Sequence, residues 1–568
     1  MTRHQPALEP PARLLVDLLR DEGVDRIFGN PGTTELPLIR EVAAAGDLPY
    51  VLALQEHSAV SMADGYARGT GRISFVSLHA AGGLANGSIG MLNALRSRTP
   101  MVVLACQQDQ RHLAQGPMLT GDLVAMAAPV AHCAEQVHRA EDLPVVMRRA
   151  FRRARTAPSG PVFVSIPTDV LSVPARLVLP PRSPLPELGA APEAARAAQV
   201  LTAARRPAIV AGDLVGQSGA DTELRELAEE LGAAVYPQPM FDAVNADSEH
   251  PLTAWPLPPD NAAIHRVLAE HDIVFFAGVT IRPHHFRPQS AVPEEVVLVQ
   301  LDTDPAQIAR NHPVEVGMVG AMRPTLAAIT AEVRSRRTPE SAAEAVRRAA
   351  RTGERLVAQR LAWREESRAA ACAAPMRPTA AVQAVADALP ESAVVVEEAV
   401  SSGPALWRAL RIRRPGDYHH TVGGGLGWGI GAAVGLQLAH PARPVVAVVG
   451  DGSAMFGVQG LWSAAAQRTP VVVVVLNNAE YRAVREPADP AEAAGYPGID
   501  LVRPAVRWPL LARSLGLDAV RVRHTARIGP AIRDALNAGR PTVIEVPILG
   551  SAAEHRAAHT EAPGWVGV

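Results

Sequence analysis

Asp451 and Asn478 are the residues of this sequence whose types and spacing point most directly to chemistry. An apolar run, Val445 to Val449, leads into Gly450-Asp451-Gly452-Ser453, and the next run, Val471 to Leu476, ends in Asn477-Asn478. In an open parallel sheet, ligands gather at the carboxyl ends of strands, so both turns can face one site. Asp451 offers a hard anionic oxygen, Asn478 a neutral one, and a backbone carbonyl just beyond can add a third. Oxygen ligands with room left for phosphate are what magnesium accepts. The glycines let the backbone come close to a diphosphate, and the amides after Asp451 can donate to it at a helix start. Either motif alone reads as a plain turn, whereas the pair at two strand ends reads as a site.

Three further groups carry possible chemistry. Glu56 follows the apolar run Val51-Leu52-Ala53-Leu54-Gln55, where the bland reading is an acid at a helix N-terminus. His79 ends the strand-like segment Ser77-Leu78-His79, and His285 lies in Arg282-Pro283-His284-His285; imidazoles pass protons at neutral pH. Thr33 precedes a helix that starts near Glu35, where its hydroxyl could simply be a cap. The glycine-rich Gly423-Gly424-Gly425-Leu426-Gly427-Trp428-Gly429 resembles a dinucleotide-binding turn only superficially, since no clear strand immediately precedes it and no suitably placed acid follows.

The elements that must position these residues are short β-rich runs alternating with helical Ala/Leu/Arg segments, the βαβ pattern of parallel sheets covered on both faces. Ile73 to Leu78, Met101 to Ala105 and Val162 to Ile166 belong to a first block. Pro207 to Val210, Ala234 to Tyr236, Ile273 to Ala277 and Val296 to Leu301 belong to a second, and Val394 to Val396, Val445 to Val449, Val471 to Leu476 and Thr542 to Val546 to a third. A proline-dense stretch, Pro180 to Pro192, reads as a linker, and the Arg/Glu/Ala-rich Arg334 to Arg368 as a solvated helix or connector. The fold class is therefore α/β with three doubly wound parallel-sheet domains, spanning residues 8–180, 193–335 and 375–550.

Composition narrows the function classes. A chain of 568 residues with 48% hydrophobic and 20% charged residues exceeds what one core supports, and a formal net charge of -2 gives no electrostatic reason to expect nucleic acid or an acidic membrane as partner. Arginine clusters such as Arg148, Arg149, Arg152 and Arg153 read as solvated helix faces. No secretory signal or membrane span is legible, so a cytoplasmic location is expected, and Cys106, Cys133 and Cys372 show neither metal-ligand nor disulfide spacing.

The Gly-Asp-Gly turn followed a little under thirty residues later by Asn-Asn resembles the signature of the thiamine diphosphate-dependent enzymes. Phe28-Gly29-Asn30-Pro31-Gly32, Gln55-Glu56-His57 and Ala63-Asp64-Gly65-Tyr66-Ala67-Arg68 are similar to the first-domain pattern of that family and come in its order. The resemblance implies pyrimidine-binding, middle and diphosphate-binding domains, with thiamine diphosphate and Mg2+ as cofactors. It implies that Asp451, the Asn478 side chain and the Glu480 carbonyl hold the metal, and that Gly452, Ser453, Ser401 and Tyr481 line the diphosphate. It makes the Gly424 carbonyl and the Leu426 side chain the elements that bend the cofactor, and Glu56 the carboxyl group that activates it. In relatives the glutamate and the diphosphate site belong to different chains, which implies a catalytic homodimer, often paired into a tetramer.

Within the family the likeness is greatest to the benzoylformate decarboxylase branch, where His79 and His285 correspond to proton-transferring imidazoles and Thr33 to a serine that orients the substrate carboxylate. Two positions depart from the branch: Pro487 replaces an aromatic pocket residue, and Val400 a threonine at the diphosphate. The reaction implied is non-oxidative decarboxylation of a 2-keto acid, with an aryl acid as the leading substrate. The alternatives are a carboligase, in which an aldehyde or second keto acid is the acceptor, and a catalytically silent cofactor-binding subunit. No phosphate-binding fingerprint is found in Ala197 to Arg334, so a structural middle domain is expected.

Overall fold

The computed structural model describes residues 8–282, 288–372, 376–486 and 496–550. The apolar runs read above as strands all form strands, and all lie in parallel sheets. The first sheet runs, in spatial order, Tyr50–Leu52, Ile27–Gly29, Ser74–His79, Met101–Gln107, Pro161–Pro167 and Ala134–Gln136. The second runs Ala234–Pro237, Pro207–Ala211, Ile273–Ala277, Val297–Asp302 and Val316–Val319. The third carries Val394–Glu398, Val445–Gly450, Val472–Asn477, Thr542–Pro547 and Asp518–Arg521 side by side. Its central strands are buried on both faces, which is why they read as unbroken valine runs rather than as alternating patterns. Ala134–Gln136, Val316–Val319 and Asp518–Arg521 escaped sequence reading because they are short, half-covered edge strands.

By packing, the three sheets fall into two compact units. The first and third sheets share one, and the second unit takes residues 186–370 together with the segment 404–422. In the first unit a single hydrophobic core runs through both sheets, from Phe28, Val76 and Leu78 to Ala447, Val449 and Val475, with Trp428 fully buried between them.

Two helices join those sheets: Glu56–Thr70, which follows the first sheet's edge strand, and Trp428–Ala439, which follows the glycine-rich segment. Their backbones meet through glycines: a Cβ at Gly65 would overlap the Ala432 carbonyl, and one at Gly435 the Met62 carbonyl. The indole of Trp428 donates to Asp64 at 2.6 Å, and Arg68 pairs with Asp64 while stacking over the indole. The Ala-Asp-Gly-Tyr-Ala-Arg motif is thus a packing device, and its buried charges are paired as burial requires.

In the second unit, the Arg/Glu-rich stretch becomes a helix over Pro339–Ala369 that is more than a solvated connector. Arg360 and Arg364 are buried, donating to the Thr253 carbonyl and to Glu249. The arginine cluster of the Leu143–Arg155 helix is partly engaged too, with Arg148 bonded to Glu22 and Arg149 to Glu135. Among the described residues no helix is long and apolar enough to cross a membrane.

Candidate active site

The first sheet reverses its strand order at Ile27–Gly29, which has Tyr50–Leu52 on one side and Ser74–His79 on the other. Such a switch point opens a crevice at the carboxyl ends of the strands. Into it run the turn Asn30 to Glu35 and the strand-ending His79. Gly32 is required there, because a Cβ on it would lie within the His79 ring. Ala80, the next residue, turns the chain into a helix with φ 48°, a left-handed conformation that costs a non-glycine residue energy and is found at functional sites.

His79 is held by two residues that sequence reading passed over. Its Nδ1 lies 2.9 Å from Oε2 of Glu35 and 3.0 Å from the Thr34 hydroxyl. Glu35 is fully buried and also accepts from the Gly32 amide at 2.9 Å and from the Thr34 hydroxyl at 2.7 Å. The single hydroxyl proton of Thr34 goes to Glu35, so Nδ1 of His79 must be the donor to both partners. Neutral His79 therefore keeps Nε2 as its bare nitrogen. The signal was present as an acid three residues past Gly32, a capping-box spacing. Thr33 is exposed, and its hydroxyl has no partner among the described residues.

Glu56 is the first residue of its helix, buried to 8% exposure, with Oε2 accepting from Asn86 at 3.0 Å. Gln55 supplies the cap, so Glu56 is not needed for one. Gly83 leaves the other carboxyl oxygen uncrowded, since a Cβ there would stand 3.4 Å from it.

At the carboxyl ends of the third sheet, Asp451 opens the helix Asp451–Phe456, and Oδ2 accepts from the Ala479 amide at 3.0 Å. Burial pushes its carboxyl group up to about 7, and a cation bound beside it would hold it ionised. The Asn-Asn pair divides its work. Asn477 donates to Glu545 at 2.8 Å, whereas buried Asn478 lies on the turn that faces Asp451. Glu480 has its side chain in an ion pair with Arg485 at 3.0 Å, so what it can offer a metal is its backbone carbonyl. The donor set is oxygen-only with one carboxylate, which fits magnesium with phosphate oxygens completing the shell. Gly452 lies under Tyr481, where a Cβ would meet the ring at 2.7 Å. The Ser453 hydroxyl bonds the carbonyls of Glu398 and Gly450, which leaves its amide for a phosphate. Ser401 is half-buried at the end of the neighbouring strand, beside Val400, which is 43% exposed with φ 50°.

The glycine-rich segment connects the two halves of the unit. Gly424 is exposed with φ 78°, and Leu426 is half-buried. The following amides of Gly427, Trp428 and Gly429 all donate to the buried carboxylate of Glu398, at 2.8, 3.0 and 3.1 Å. A dinucleotide phosphate would need those amides, so the structure agrees with rejecting that reading. His285 and Pro487 lie outside the described residues.

Comparison with known proteins accords with this geometry. Family profiles for the thiamine pyrophosphate enzymes match three times: the N-terminal TPP binding domain over residues 11–126, the central domain over 194–329 and the C-terminal TPP binding domain over 399–546. The chain is 34% identical over 539 residues to a benzoylformate decarboxylase of Pseudomonas aeruginosa, covering 94% of this chain and 97% of that one. To an acetolactate synthase large subunit of Parasynechococcus marenigrum it is 28% identical, covering 94% and 87%. It superposes with a TM-score of 0.85 and 29% identity on the thiamine diphosphate-dependent 4-hydroxybenzoylformate decarboxylase of Rhodococcus jostii RHA1, covering 95% and 99%. The chain belongs to the thiamine pyrophosphate enzyme family. It is an enzyme dependent on thiamine diphosphate, the same molecule, and it stands nearer to that 2-keto acid decarboxylase than to that carboligase.

Proposed function

We propose that the enzyme decarboxylates an aryl 2-keto acid without oxidation, releasing an aldehyde and carbon dioxide. The observations that carry this reading are His79, locked by Glu35 and Thr34 with Nε2 bare, and the oxygen set of Asp451 and Asn478 at the carboxyl ends of the third sheet. When bound, thiamine diphosphate supplies a carbon nucleophile and a ring that accepts the electron pair of the breaking bond. Asp451, Asn478 and the Glu480 carbonyl would hold Mg2+, the turn Gly450 to Ser453 with Ser401 and Tyr481 would hold the diphosphate, and Gly424 and Leu426 would support the bend of the cofactor. Glu56 hydrogen-bonds its pyrimidine. The Thr33 hydroxyl orients the substrate carboxylate, and Nε2 of His79, bare in the neutral ring, takes up a proton from solvent and passes it on to form the aldehyde while Nδ1 stays bonded to Glu35. His285 is assigned as the second imidazole on resemblance alone.

In this reading the enzyme works in the cytoplasm as a homodimer, paired into a tetramer, as its resemblance to the thiamine diphosphate-dependent enzymes implies. The test is release of carbon dioxide and aldehyde from a panel of aryl and alkyl 2-keto acids with thiamine diphosphate and Mg2+. Release from benzoylformate is expected. Cofactor binding with no release from any of the panel overturns the reading in favour of a carboligase, the alternative that the acetolactate synthase relatives keep open.

A further inference from the structure

The glycine-rich segment is gripped by two helices of the first domain. Asn93, fully buried on the Ala80–Arg96 helix, makes a two-way pair with Gly425: its Nδ2 donates to the Gly425 carbonyl at 2.9 Å, and its Oδ1 accepts from the Gly425 amide at 3.0 Å. His57, next to Glu56, donates Nε2–H to the Leu426 carbonyl at 3.1 Å. There is no slack in this packing. A Cβ at Gly423 would overlap Asn93, and one at Gly425 would stand 2.5 Å from Ile89. From the opposite side Glu398 holds the next three amides, and a Cβ at Gly427 would press on Phe456 at 2.6 Å.

His57 is an expensive residue for plain packing. It is 3% exposed, and its Nδ1 is buried without a hydrogen-bond partner among the described residues. A buried nitrogen left unsatisfied is costly, and an apolar side chain of similar size would avoid that cost. Burial also holds the imidazole neutral, with its pKa lowered to about 4, so that one nitrogen bears a proton and the other is bare. The benefit that sets histidine apart from leucine here is the single bond to Leu426.

We infer that His57 and Asn93 are positioning residues for the cofactor-bending segment: they fix the carbonyls of Gly425 and Leu426, so that the Gly424 carbonyl and the Leu426 side chain are in place before the cofactor arrives. The inference rests on the assignment of Gly424 and Leu426 above. Neither His57 nor Asn93 touches the reacting atoms.

The experiment compares His57→Leu, His57→Gln, Asn93→Ala and Leu426→Ala as full-length apoenzymes. Each is titrated with thiamine diphosphate and Mg2+ by calorimetry, followed by near-ultraviolet circular dichroism of the bound cofactor and by melting of the apoenzyme. His57→Leu and Asn93→Ala are expected to weaken cofactor binding about tenfold and to change the dichroism, with apoenzyme melting close to wild type. His57→Gln, whose amide can still donate to Leu426, is expected to recover most of the loss. Wild-type affinity and dichroism in both His57→Leu and Asn93→Ala overturn the inference. So does a loss that tracks lowered apoenzyme melting and is not recovered in His57→Gln. If Leu426→Ala alters affinity or dichroism while His57→Leu and Asn93→Ala do not, only the positioning role fails. If Leu426→Ala is itself silent, the assignment of the segment fails and the inference with it.

Discussion

Nδ1 of His79 and Oε2 of Glu35 lie 2.9 Å apart, with the hydroxyl of Thr34 bridging them, in a pair where the carboxyl group is wholly buried and the imidazole reaches the crevice. The carboxyl group fixes both the ring's orientation and which nitrogen carries the proton. Glu35→Gln is therefore expected to lower kcat about tenfold to a hundredfold with little change in cofactor affinity. Nitrogen NMR of His79 should show one neutral tautomer in the wild type and a mixture in the variant. A single unchanged tautomer alongside full activity would refute the pair.

Glu56→Gln removes the ionisable group at the pyrimidine while keeping its shape and its bond to Asn86. Turnover should fall by about a hundredfold or more, while calorimetry still detects bound cofactor. Full activity in this variant would sink the assignment of Glu56.

Mixing two inactive variants asks where the site is built. If Glu56 serves the diphosphate site of another chain, unfolding and refolding Glu56→Gln together with Asp451→Asn yields mixed dimers with one intact site, and about a quarter of wild-type activity returns. No recovery from dimers shown to have exchanged subunits would place the whole site within one chain.

His57 should leave an acid signature. Its pKa falls from 6.5 to about 4 on folding. Between those values the unfolded chain takes up a proton that the native chain refuses, so stability rises with pH, and the His57 share is lost as pH drops from 6.5 towards 4. That share is roughly 3 kcal/mol at most. Denaturant melts of apoenzyme at pH 4.5 and 7 should show a smaller gap in His57→Gln than in wild type. Equal gaps would contradict the lowered value.

Gly65→Ala tests the helix junction independently of chemistry. The added methyl would run into the Ala432 carbonyl, and overpacking of this kind costs about 1–3 kcal/mol. A lower melting temperature is expected, and an unchanged one would mean that the helices can shift apart freely.

Much of this was legible in the sequence. Buried parallel strands announce themselves as valine runs, and Asp451 and Asn478 sit at strand ends where topology alone suggests a site. The supporting residues were not legible, because each depends on a contact distant in sequence. Glu398 lies two residues past the run Val394 to Val396 and carries no signal of its own until the amides of Gly427 to Gly429 fold onto it. Glu35 reads as no more than the start of a helix until His79 arrives from 44 positions away. The segment 404–422 interrupts the third sheet block in sequence yet belongs to the second unit, a division that local patterning cannot carry.

The carboxylate of Glu398 has one more implication. A helix start stripped of side chains by glycine would ordinarily attract a passing anion, nucleotides and free phosphate among them. Here the protein carries an anion of its own, permanently seated on those three amides. Selectivity against such bystanders is thus written into the resting fold, leaving the turn at Asp451 to recruit a diphosphate.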